Sequence, residues 1–180
     1  MKKTPIVFLL LSVLWMSGCG QAQQNKYESF AEELSARESL SFTAELTAVY
    51  PTRSAEFSLR YNLDGEEQRI TVLSPGRISG IQASVERGKT QLAYDGLILD
   101  TGDLNDFGLS PMSALPVLID TMCNGHVDAV WEEDELSVVK LLYDDHTTAQ
   151  VWFTEEMIPV RAELFSDGVL KIQCEIDNWS

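Results

Sequence analysis

The sequence predicts an α+β fold, an antiparallel sheet with one apolar face covered by two helices. Three observations predict it. Apolar and polar residues alternate with period two along most of the chain, Asp-Gly dipeptides separate successive alternating runs, and only two stretches have helical character. The 180 residues, less the N-terminal signal described next, are enough for one domain with a real core.

Lys2 and Lys3 precede an apolar run, Ile6 to Trp15, broken only by Ser12. At 1.5 Å per residue this run spans ~15 Å, about half a bilayer core, so it has the form of a secretory signal and not of a membrane span. Met16-Ser17-Gly18-Cys19 resembles the lipobox of bacterial lipoproteins. That resemblance implies a diacylglycerol on the Cys19 thiol, cleavage before Cys19, and an extracytoplasmic body anchored to the bacterial membrane. An ordinary secretory signal with an incidental cysteine is the alternative. The division is then a signal over 1–18, a lipidated tether over 19–26 and a folded domain over 27–180. Gly20 to Lys26 have no apolar periodicity and three glutamines, which suits a solvated tether.

The elements follow in order. Tyr27, Phe30, Ala31 and Leu34 keep the i, i+3, i+4, i+7 spacing of an amphipathic helix running to about Ser39. Phe42, Leu46 and Tyr50 share one parity against Thr43, Glu45 and Thr47, and Phe57 to Leu63 repeat the pattern after a short break. Strands are predicted next at Gln68–Leu73, Gly80–Glu86, Thr90–Tyr94 and Leu97–Asp100, the last two joined by an Asp95-Gly96 hairpin turn. "SPMSALPVLIDTMCNG" reads as the second helix, with Ser110 as cap, Pro111 at the first position and Asn124-Gly125 as stop. Pro116 is expected to kink or split it. Strands follow at Val127–Trp131, Leu136–Tyr143, Thr148–Phe153, Val160–Leu164 and Leu170–Asp177, with Asp167-Gly168 between the last two.

In this order the helix, "SFTAEL", "SPGRI", "YDGLILD", "LSPMSALPVLID" and the closing "VWFTEEMIPVRAELFSDGVLKIQCEIDNW" resemble the LolA/LolB-like lipoprotein-carrier superfamily, from about Tyr27 to Trp179. The resemblance implies a curved, incomplete antiparallel β-barrel, a half-barrel wrapped around one or two helices. It implies an apolar concavity that holds lipid or lipoprotein acyl chains, lined here by Phe42, Leu46, Phe57, Leu59, Leu92, Tyr94, Leu115, Leu118 and Ile119. The soluble carrier of that family has a basic residue before the proline of its latch strand. Ser74 precedes Pro75 here, so the latch is not carried over. The alternative is a concavity packed by its own helices, in a tethered scaffold that binds another envelope protein.

Other function classes find little support. Removing residues 1–18 takes two lysines and no acid, so a net charge of −15 becomes −17. Such a surface repels phosphate backbones, which argues against nucleic acid as a partner. His126 and His146 are isolated, no Gly-x-Ser-x-Gly elbow occurs, and no Cys/His pair has metal spacing, so neither an enzyme nor a metal or cofactor is expected. Glu132 to Glu135 read as a solvated hairpin tip. Trp131 shares the parity of Val127 and Ala129 and is expected in the core, whereas Trp152 and Trp179 fall on nominally polar parities. Cys123 and Cys174 are both expected to face the helix side of the sheet. There they form either a disulfide, worth ~4 kcal/mol in the chain-entropy model, or two buried free thiols.

Overall fold

The computed structural model describes residues 19–86, 89–102 and 109–180. The segment expected as a signal, with the Met16–Gly18 part of the lipobox-like stretch, lies outside them. Helix α1 (Cys19–Ser35) leads into strands β1 (Ser39–Tyr50), β2 (Arg53–Asp64), β3 (Glu67–Ser74), β4 (Gln82–Glu86), β5 (Lys89–Tyr94) and β6 (Leu97–Gly102). Helix α2 (Pro111–Asn124) then precedes β7 (His126–Glu133), β8 (Leu136–Leu142), β9 (Thr147–Phe153), β10 (Pro159–Ser166) and β11 (Val169–Asp177). All eleven strands form one antiparallel sheet in the order β6-β5-β4-β3-β2-β1-β11-β10-β9-β8-β7. The pairing of β1 with β11 joins the two meanders, and β6 and β7 remain as the edges of an open sheet. Alternation in the sequence is clearest in β1, β2, β10 and β11.

Turn chemistry sets the hairpin registers. Asp95-Gly96 and Asp167-Gly168 both have positive φ at the two central residues, +49° and +80° in the first and +51° and +72° in the second. This is the type I′ geometry that matches strand twist, and it closes the pairs Tyr94–Leu97 and Ser166–Val169. Asp134-Glu135 adopts the same conformation at the solvated tip between β7 and β8.

One apolar face of the sheet and both helices share a single core. Tyr27, Phe30 and Leu34 bury one stripe of α1, and the Tyr27 hydroxyl donates to the Met122 carbonyl of α2 at 2.8 Å. Burial raises the Tyr27 pKa well above its ordinary value, so the phenol stays a donor. Ser110 and Ser113 cap α2 reciprocally, with each side chain accepting from the other's backbone N–H. Asp120 accepts from Tyr143 and from Asn124, which ties the outer side of α2 to the end of β8.

Three expectations need correction. Helix α1 begins at Cys19 and ends at Ser35 instead of running from Tyr27 to about Ser39, so the segment expected as a solvated tether is helical as well as mostly exposed. Gln21, Ala22, Gln23, Gln24 and Lys26 are good helix formers, and Gln24 bonds Glu28 one turn on at 3.0 Å, so the helix continues without an apolar stripe. Pro116 does not split α2, which runs unbroken from Pro111. Only the bond that an amide at 116 would give to residue 112 is lost. Trp131 is not a core residue. The ladder shifts between Val127 and Ala129, so Val130 instead packs on the core and Trp131 pairs with Val138 on the other face.

Candidate functional site

The sheet register places Phe42, Tyr61, Ile70, Ala83, Leu92 and Leu99 directly opposite one another, strand by strand, on the helix-facing side. This apolar row crosses six neighbouring strands. Its first four members are at most 1% exposed, Leu92 is half-buried and Leu99 is 64% exposed. Tyr94 and Leu97, a directly opposed pair on the same face, are 48% and 71% exposed. The apolar floor therefore continues beyond the part that is packed. Helix α2 packs on β3, β8, β9 and β10, and α1 on α2 and β7, so the main helix contacts reach no further than β3 on the side of the sheet that ends in β5 and β6.

Beneath the helices the residues expected to line a concavity are a close-packed core. Phe42, Leu46, Leu59, Leu115 and Leu118 are at most 1% exposed, and Ile119 is 7% exposed. Phe42 stacks on Tyr61 with ring centroids 4.9 Å apart, and Trp179 lies 5.0 Å from Phe42 on another side. Trp179 reaches this side because Asn178 has φ of +56°, which ends the alternation of β11. Phe57 and Leu92 pack partly against the core. Tyr94 does not line the packed space, because it stands at the turn end of β5. The structure thus brings together seven of the nine expected residues under or beside the helices, with Leu92 and Tyr94 toward the uncovered end. Leu97 and Leu99 belong with those two and were not among the expected set. Their signal is the unbroken triplet Leu97-Ile98-Leu99, which makes both faces of an edge strand apolar.

The remaining chemistry is peripheral to this floor. Cys123 and Cys174 are free thiols. Cys123 is half-buried beside Ser35, and burial raises its pKa. Cys174 sits between Leu46 and Ala162, and burial pushes its pKa up to about 12. The bridge that the sequence allowed is not formed. His146 bonds Asp167 through Nδ1 at 2.6 Å, and this bond with the Asp167 charge raises the exposed imidazole's pKa. His126 is exposed at the start of β7. Trp152 is buried on the outer face beneath the Arg161 guanidinium, 4.3 Å from its ring centroid, and Arg161 in turn pairs with Glu163 at 2.6 Å. Among the described residues no three His, Cys, Asp or Glu side chains group as metal ligands, and no helix is long and apolar enough to cross a membrane.

No protein-family model matches the chain, and no curated protein matches it in sequence. Solved structures do match in fold. A LolA superfamily protein from Nitrosomonas europaea aligns over 86% of this chain and 91% of its own, at 11% identity and a TM-score of 0.52. A domain of the outer membrane lipoprotein-sorting type from Vibrio parahaemolyticus aligns over 89% and 91%, at 11% identity and a TM-score of 0.51. An uncharacterized conserved protein from Thermus thermophilus aligns over 87% and 86%, at 10% identity and a TM-score of 0.51. Identity at this level speaks to fold alone, and these alignments span nearly the whole folded body. The chain has the LolA-superfamily fold.

Proposed function

We propose that this chain is an extracytoplasmic lipoprotein, anchored to the membrane through Cys19, whose apolar sheet face takes up acyl chains of lipid or lipoprotein. In this reading the open sheet curls as a half-barrel around its helices, and the acyl chain enters at the β5–β6 end. The carrying observation is the cross-strand row that passes from fully buried Ala83 through Leu92 to Leu99 at 64% exposure. An apolar floor that leaves its cover while remaining apolar is costly in water unless a ligand or partner completes it. Each methylene laid on such a floor contributes ~0.8 kcal/mol, so a long acyl chain has ample driving force before ordering costs are subtracted. The reading needs no catalytic group and no cofactor.

The close packing beneath α2 favours the second reading, a tethered scaffold for another envelope protein, for that half of the molecule only. Native mass spectrometry of residues 20–180, with fatty acid or phospholipid added below its micelle concentration, separates the two. A carrier retains an alkyl adduct, and Leu92→Asp or Leu99→Asp lowers occupancy at least ten-fold. Leu99→Asp should leave the melting temperature nearly unchanged, since that side chain is mostly exposed. Absence of any adduct in the wild-type body gives the scaffold reading instead.

A further inference from the structure

Acyl binding leaves one feature of the sheet edge without a role. Ile98 is 68% exposed and lies on the face opposite Leu97 and Leu99, which are 71% and 64% exposed, so edge strand β6 is apolar on both sides. The other edge is guarded in the usual way. Strand β7 carries exposed His126, Asp128, Glu132 and Glu133, and α1 packs against it.

The backbone of β6 is also set for pairing. The two-residue turn closes on Tyr94–Leu97, which makes that pair hydrogen-bonded, and the ladder alternates from there. Ala93–Ile98 is then a non-hydrogen-bonded pair. The N–H and C=O of Ile98 consequently point away from β5, toward the open edge.

We infer that β6 pairs antiparallel with β6 of a second copy of this chain, about a two-fold axis at Ile98. The sequence around that axis is self-complementary. Ile98 faces Ile98 of the second copy, each Leu97 faces a Leu99, and each Gly96 faces an Asp100, so no like charges are opposed. The outward backbone groups of Ile98 fall on the axis, where this register requires a hydrogen-bonded pair. A two-fold contact of one patch with itself closes, and does not grow into a filament. The net charge, −17 once residues 1–18 are removed, opposes the approach of two copies at long range, but physiological salt screens it beyond about 8 Å. The two apolar floors would join across the seam. The inference does not rest on acyl binding, because Ile98 and the open backbone lie off the acyl face.

Cysteine cross-linking of the full chain in bacterial membranes tests this register, in a Cys123→Ser background with a mild oxidant. Cα atoms of a hydrogen-bonded antiparallel pair lie about 5.5 Å apart, within disulfide reach. Ile98→Cys should give a homodimer on a non-reducing gel in at least ten-fold higher yield than Leu99→Cys, which lies off the axis. Co-expressed Leu97→Cys and Leu99→Cys chains should cross-link to each other, an independent reading of the same register should the first variant fold poorly. Equal yields at 97, 98 and 99, no dimer in either arrangement, or adducts only with a different protein would overturn the inference. Alkyl adducts in native mass spectrometry are measured separately, so either result stands without the other.

Discussion

Leu118→Ala should destabilise the folded body by about 3–5 kcal/mol, near the top of the range for a leucine cavity. Leu118 is 0% exposed, on the same face of α2 as Leu115 and Met122, which are also at 0%. All three belong to the core that holds Phe42, Leu46 and Leu59 of the sheet. Urea unfolding of residues 20–180 should show a lowered midpoint with an unchanged slope. A loss under about 1 kcal/mol would mean that α2 is not closed on the sheet. The helix would then be a movable lid, and acyl chains would have a route into the covered half.

Cys19→Ala should abolish lipid labelling and move essentially all of the protein from the membrane to the soluble fraction. In this reading membrane retention depends on the two or three acyl chains attached at Cys19. The helical start of α1 adds a structural consequence. Residues 20–26 continue α1 ahead of the packed stripe that begins at Tyr27, so in this reading the anchor would join the body through a helix and not through a Gln-rich coil. Metabolic labelling with a fatty acid and fractionation of the same cells read both effects. Full membrane retention of the unlabelled variant would remove the anchor from the account.

The sheet was legible because its signal is local. Period-two alternation and Asp-Gly turns mark strands whatever they pair with, and here every pairing joins consecutive strands except that of β1 with β11. What escaped were features set by neighbours or by single backbone angles. The bulge near Asp128 turns Trp131 to the opposite face, and the positive φ of Asn178 returns Trp179 to the core. Neither residue announces this in its type. The start of α1 escaped for another reason, since a polar helix with no buried stripe has no periodicity to detect. For the site, the family resemblance put Leu92 and Tyr94 on the lining of an apolar concavity. It could not show how far α2 reaches across that lining, because helix placement is decided by packing between distant segments. The uncovered end, with Leu97 and Leu99, therefore emerged only from the burial along the cross-strand row.

Acyl uptake on that end is the central claim, and photolabelling tests it most directly. A diazirine fatty acid, added to residues 20–180 below its micelle concentration and irradiated, should insert into the peptide spanning Leu92 to Leu99. Unlabelled fatty acid should compete the insertion away, and Leu99→Asp should suppress it. Competed insertion on the outer-face strands around Trp131 and Trp152, or no competable insertion anywhere, would contradict the account.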